Sequence, residues 1–73
     1  MSLFSDRLKE LRKKNKAVTQ KNMADYIGIV ERTYRRYEAG ELEPNHETTI
    51  KLAEYFNVSV DYILGLTDNP ARQ

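Results

Sequence analysis

The sequence predicts an all-α fold, a compact bundle of five short helices. Three observations carry that expectation. Apolar residues recur at helical spacing in five separate stretches, each stretch is followed by a residue that commonly ends a helix, and no segment combines strict alternation with β-branched enrichment as a strand would. The stops are Gly28, Gly40 and Gly65, with Asn15 and Asn57 filling the same role, because Gly and Asn enter the left-handed conformation more easily than other residues.

The elements follow in order. Phe4, Leu8 and Leu11 lie at i, i+4, i+7, which is one face of a first helix ending near Asn15. Thr19 can cap a second helix whose inner face is Met23, Ala24 and Ile27, with Asn22 three residues after the cap. Tyr34 and Tyr37 mark the inner face of a third helix, which has a weak start because Val30 occupies the cap position and has no side-chain acceptor. Asn45 follows Pro44 and can cap a fourth, with Glu47 in its first turn and Thr49, Leu52, Ala53 and Phe56 at i, i+3, i+4, i+7. Ser59 can cap a short fifth, with Asp61 near the positive end of its dipole and Val60, Ile63 and Leu64 as its stripe. Residues 1–66 are thus expected to form one domain. Residues 67–73 lack periodicity and read as a loose C-terminal tail or the stub of a linker.

Composition removes several function classes. A chain of 73 residues has room for one domain, and with no Cys it has no disulfide to hold it. The lone His46 cannot build a zinc site of the Cys/His kind, and it reads as a surface histidine; no metal and no cofactor is expected. Runs of apolar and Gly residues reach only five, as in Tyr62–Leu66, too short to span a membrane. Charges begin at Asp6, which leaves no room for the apolar stretch of a signal peptide, so a cytoplasmic protein is expected. An enzyme is disfavoured, since there is one His, no Gly-rich loop and little room for a cleft.

The net charge of +1 averages two unlike halves. Residues 1–40 hold 10 basic and 5 acidic residues, a net of +5; residues 41–73 hold 2 basic and 6 acidic, a net of −4. Such a division suits one face for a polyanion and another for a different partner, although ordinary solvated helix faces would give the same count. The five tyrosines suggest base stacking only weakly. Tyr34 and Tyr37 fall at core positions, and Tyr26 is expected to be partly exposed.

Thr19 to Gly40, TQKNMADYIGIVERTYRRYEAG, reads as one unit: a helix, a tight turn at Gly28-Ile29-Val30, and a second helix. Ala24 is small where two helices would cross, and Ile27, Ile29, Tyr34 and Tyr37 can fill the angle between them. This is the helix-turn-helix pattern, in which the second helix enters the DNA major groove. From about Phe4 to Leu66 the chain resembles the phage-repressor and Cro (Xre-type) family of helix-turn-helix DNA-binding domains, which have the lambda-repressor-like fold. The resemblance is carried by Leu11-Arg12, Thr19-Gln20, Ala24, Gly28, Tyr37-Glu38-Ala39-Gly40, Pro44, and Leu52-Ala53-Glu54 through Val58-Ser59-Val60-Asp61. It departs at Glu41-Leu42-Glu43, where family members often place a basic phosphate clamp. The loop from Arg12 to Gln20 is one residue longer than usual.

The resemblance implies roles. Gln20 would bind a phosphate and buttress the reading side chains, and Thr19 would offer its hydroxyl to a phosphate. The helix from Val30 to Ala39 would be the recognition helix, with Glu31, Arg32 and Arg36 facing bases and Thr33 and Arg35 close to the backbone. Arg12 and Glu38 would form a buried structural ion pair. Lys16 and Lys21, near the start of the motif, would touch phosphate. Arginine chemistry fits these roles, because its fork matches O6 and N7 of guanine. Arg32 and Arg36, four apart, share a face, and Arg35 lies on the neighbouring stripe. Glu31 has two readings: it accepts a hydrogen bond from cytosine N4, or it pairs with Arg35 at i, i+4 and steadies the uncapped helix start.

Two-fold dimers of such domains bind half-sites about 34 Å apart, so a homodimer on a palindromic double-stranded operator is expected. Its candidate surface is Val60, Tyr62, Ile63 and Leu66 around the fifth helix, with Tyr55 nearby. The expected function is transcriptional regulation, as a repressor. The alternative is an antitoxin-like protein-interaction module that keeps the fold without reading DNA; Arg32, Arg35 and Arg36 on the third helix argue against it.

Overall fold

A computed structural model describes residues 3–15 and 17–71. It has five helices, α1 (Leu3–Lys14), α2 (Gln20–Ile27), α3 (Glu31–Ala39), α4 (His46–Phe56) and α5 (Val60–Ile63), and no strand among the described residues.

The helix ends are set by local chemistry. Thr19 and Asn22 form a reciprocal cap: the Asn22 N–H donates to Thr19 Oγ1 and the Thr19 N–H donates to Asn22 Oδ1, both at 3.0 Å. Asn45 Oδ1 accepts from the Thr48 N–H at 2.9 Å, and Ser59 Oγ accepts from the Tyr62 N–H at 3.0 Å. Each such cap contributes about 1 kcal/mol. Val30 leads into α3 in extended conformation with no side-chain cap. Gly28, Gly40 and Asn57 end α2, α3 and α4 with φ of 87°, 77° and 56°. Asn15 follows α1 through a turn in which its N–H donates to the Arg12 carbonyl, and among the described residues Asn57 is the one non-glycine with positive φ.

Gly65 does a different job from the one its position suggests. Leu64, in right-handed conformation, already closes α5. Gly65 comes one residue later, with φ of 83°, where the chain passes the start of α1; a Cβ there would lie 2.7 Å from Leu3 Cβ. Both the backbone angle and the close approach exclude a side chain.

One core holds the five helices together. Leu8, Met23, Tyr34, Leu52 and Ile63 are fully buried, and Phe4, Val18, Ala24, Ile27, Tyr37, Ala53 and Val58 surround them. Burying each large apolar side chain contributes about 2 kcal/mol. Leu11, Ile29 and Phe56 are half-buried against this cluster, and Tyr26 is exposed, with its ring edge-on to Tyr55 at 4.8 Å. In the angle of the helix-turn-helix, Ile27, Tyr34 and Tyr37 are buried and Ala24 lies at the bottom of the contact.

Two expectations need correction. Ile63 has no exposure and belongs to the core, so it is unavailable to a partner; Leu64, which closes α5, is the neighbour left 40% exposed. A stretch of four residues makes barely one helical turn, and its spacing alone does not say which neighbour faces in. The tail is also held rather than loose over Thr67–Ala71. Arg7 on α1 donates to the carbonyls of Tyr62 at 2.6 Å and Thr67 at 2.8 Å, and pairs with Asp68 Oδ1 at 2.8 Å. Its guanidinium also lies 4.0 Å from the centre of the Tyr62 ring. The Ser59 N–H donates to the Pro70 carbonyl at 3.0 Å, which brings the tail back beside the start of α5. A half-buried guanidinium needs acceptors for its fork, and the Tyr62 carbonyl of α5, together with Thr67 and Asp68 of the tail, supplies them.

Candidate nucleic-acid interface

The helix-turn-helix presents two faces. Tyr34, Tyr37 and Glu38 turn α3 inward, while Arg32, Arg35 and Arg36 are exposed along its outer side and Glu31 and Thr33 are half-exposed. The turn depends on Gly28, whose N–H and that of Ile29 both donate to the Ala24 carbonyl, at 2.9 and 3.0 Å. Gln20, in the first turn of α2, reaches Glu38 on α3 at 3.2 Å, and Thr19 and Lys21 beside it are exposed. Lys16 lies outside the described residues.

Carboxylates accompany most of the basic side chains on this face. Arg35 lies 3.6 Å from Glu31, Arg36 Nε lies 3.8 Å from Glu41 Oε1, and Lys21 Nζ lies 3.3 Å from Asp25. All three pairs are solvent-exposed, so each is worth at most about 1 kcal/mol and exchanges readily for a better anion. Arg32 pairs with no carboxylate among the described residues. Arg32, Arg35, Arg36, Ala39 and Glu41 line a shallow depression of 380 Å³. Two features were missed from the sequence: the Arg36–Glu41 pair, and with it the fact that Glu41 faces α3. The signal was present in two opposite charges five residues apart across the helix-ending Gly40.

Beneath this face lies a buried charged cluster. Arg12 on α1 donates to Glu38 on α3 through two nitrogens, Nε to Oε2 at 2.6 Å and Nη2 to Oε1 at 3.0 Å. The Tyr34 hydroxyl donates to Oε2 at 2.6 Å, and Gln20 Nε2 donates to Oε1 at 3.2 Å. The Glu38 side chain is 3% exposed, and no buried side-chain nitrogen or oxygen among the described residues lacks a partner. Burial pushes the Glu38 carboxyl up, but the hydrogen bonds from Arg12, Tyr34 and Gln20 outweigh it and hold the group below its ordinary value. Burial, with donation to Glu38, drives the Tyr34 hydroxyl up, and the hydrogen bond to Glu38 raises Arg12. One carboxylate therefore joins the first three helices. Sequence reasoning reached Arg12 and Glu38 only by resemblance and missed Tyr34 and Gln20 as their partners. The Tyr34–Glu38 spacing of i, i+4 was the available signal.

The apolar residues left outside the core gather elsewhere. Leu66 is 73% exposed, and Tyr55, Val60 and Tyr62 are half-buried. Phe4, Pro44, His46, Ile50, Val60 and Leu64 line a groove of 420 Å³ between α1, α4 and α5. His46 is exposed at its rim. No helix among the described residues is long and apolar enough to cross a membrane.

A short all-helical bundle with a tight α2–α3 turn, an outward arginine face on α3 and a buried Arg–Glu pair beneath it defines a class of small helix-turn-helix domains. The chain belongs to the helix-turn-helix family, whose pattern matches residues 8–63. It is 44% identical over 68 residues to the uncharacterized HTH-type transcriptional regulator YobD of Bacillus subtilis, covering 93% of this chain and 60% of that protein. It is 43% identical over 47 residues to the cryptic phage CTXphi transcriptional repressor RstR of Vibrio cholerae, covering 64% of this chain and 42% of the repressor. The chain thus spans about half the length of the curated relatives it matches. Among solved structures, the DNA-binding domain of the P22 c2 repressor superposes with a TM-score of 0.76 at 30% identity, over 84% of this chain and 79% of that one.

Proposed function

We propose that the chain is a sequence-specific double-stranded DNA-binding transcriptional regulator that acts as a repressor by occupying its operator. The outward face of α3 carries this reading: three exposed arginines on one short helix, opposite a buried face that fixes the helix to the body. Arg32 and Arg36 read base edges in the major groove, while Thr33, Arg35, Thr19, Gln20, Lys21 and Lys16 meet phosphates. Thr19 suits the phosphate role, because its oxygen is used by the cap and its hydroxyl hydrogen remains free to donate outward. For Glu31, its place 3.6 Å from Arg35 favours the pairing reading over contact with cytosine. The protein works in the cytoplasm by binding, not by catalysis.

The active species is a homodimer on a palindromic site. Tyr55, Val60, Tyr62 and Leu66, with Leu64 in the place first given to Ile63, supply its surface. If each subunit neutralises about four phosphates, affinity for DNA falls with a log–log salt slope near −7. Titration of duplex DNA across a salt series tests this, and a slope shallower than about −2 contradicts it. Sedimentation with and without DNA tests the dimer, which a monomer in both conditions excludes.

A further inference from the structure

Gln20 stands at the first position of α2, where the helix leaves its leading N–H groups without intrahelical acceptors. Thr19 Oγ1 satisfies the Asn22 N–H, so those of Gln20 and Lys21 remain for an anion. The side-chain amide of Gln20 could turn either edge toward that anion, and only the NH₂ edge can donate to a phosphate oxygen. Glu38 settles which edge is available. Its carboxylate is buried, paired with Arg12 and able only to accept, so it holds Nε2 at 3.2 Å and excludes the carbonyl edge. One amide hydrogen is spent on Glu38, and the second is left on the same nitrogen.

We propose that Glu38 is a positioning residue for DNA binding: it fixes the Gln20 amide so that its second N–H meets a phosphate, and so ties that contact to the recognition helix. The proposal rests on the DNA-binding reading above and adds to the structural role of the Arg12 pair. Arg12 and Tyr34 hold the Glu38 carboxylate in place from α1 and α3, with two hydrogen bonds and one. Gln20 is the fourth bond and the one that joins α2. Glu38→Gln replaces an obligate acceptor with an amide that can donate to the Gln20 carbonyl and turn it over. The same change removes a negative charge, which by itself favours DNA, so a loss of affinity cannot be a charge effect.

The test is a double-mutant cycle with Gln20→Ala and Glu38→Gln on a short mixed-sequence DNA duplex, since a phosphate contact needs no particular sequence. Each single change is expected to weaken binding about tenfold, the double change no further than either one, and the salt slope to stay as in wild type because Gln20 is neutral. Independent tenfold losses that multiply in the double variant would overturn the proposal. So would a shallower slope in Glu38→Gln, which would mean that the arginine face itself had loosened. The Gln20 amide in the NMR spectrum of the free wild-type protein gives a reading without DNA. One Nε2 proton shifted downfield and slow to exchange with water, beside a second that exchanges freely, is expected; two protons with the shifts and exchange rates of an exposed glutamine amide would overturn the proposal even if Glu38→Gln fails to fold. A fixed amide in a protein that binds no duplex would instead refute the DNA-binding reading.

Discussion

Two kinds of arginine–carboxylate pair meet on α3, and their difference separates fastening of the helix from exchange at its surface. Arg12–Glu38 joins a half-buried guanidinium to a buried carboxylate, is two-pronged and short, and carries two further hydrogen bonds. Arg36–Glu41 and Arg35–Glu31 are exposed, single and longer than 3.5 Å. The first pair cannot be opened without stranding a charge in the interior. The others are opened at little cost, which suits side chains that must leave their carboxylates for an incoming ligand. The same chemistry thus fastens α3 from below and leaves its outer face free to exchange partners.

The largest expected effect comes from breaking the buried pair. Glu38→Ala strands Arg12 and should cost about 3–5 kcal/mol of folding stability, measured by urea unfolding. Glu38 also sets an acid limit. Its folded pKa lies below the unfolded value, so its stabilisation is fully present above the ordinary glutamate range and is lost as pH falls through the folded value. Wild type should lose stability on acidification more steeply than Glu38→Gln, and parallel pH profiles would contradict the assignment.

Tyr34→Phe removes one donor from the same carboxylate and leaves the ring in the core. It should cost about 1.5–3 kcal/mol, because the lost hydrogen bond is to a charged group. On the outer face the comparison inverts. Arg36→Ala should leave unfolding within about 0.5 kcal/mol of wild type and weaken binding to an operator by about 1–3 kcal/mol. The smallest effect belongs to Glu41→Gln and Glu31→Gln, which release an arginine each. Both should tighten binding to all sequences by less than about 1 kcal/mol while changing stability by no more than about 0.5 kcal/mol. If Glu31→Gln instead relaxed preference at one base pair, Glu31 would be a base reader.

How much of this was legible depended on the range of the interaction. Caps and stops act over three or four residues, so Thr19, Asn45, Ser59, Gly28, Gly40 and Asn57 stand where spacing placed them. The exposed arginines were legible because Tyr34 and Tyr37 define the opposite face of α3. The Gln20–Glu38 bond spans 18 residues and joins two helices, so no local pattern announces it. The latch at Arg7 was hidden for another reason: two of its partners are backbone carbonyls, which every residue has. Ile63 and Leu64 were confused because α5 is too short for periodicity to choose its inner face.

The central claim is that α3 reads DNA sequence as part of a two-fold dimer. Selection of binding sites from random duplex DNA, wild type beside Arg36→Ala, tests it most directly. The account predicts a palindromic motif for wild type and, for the variant, the same motif with one position relaxed in each half-site. Absence of any enriched motif with folded wild-type protein would contradict it and leave a fold used for binding protein instead.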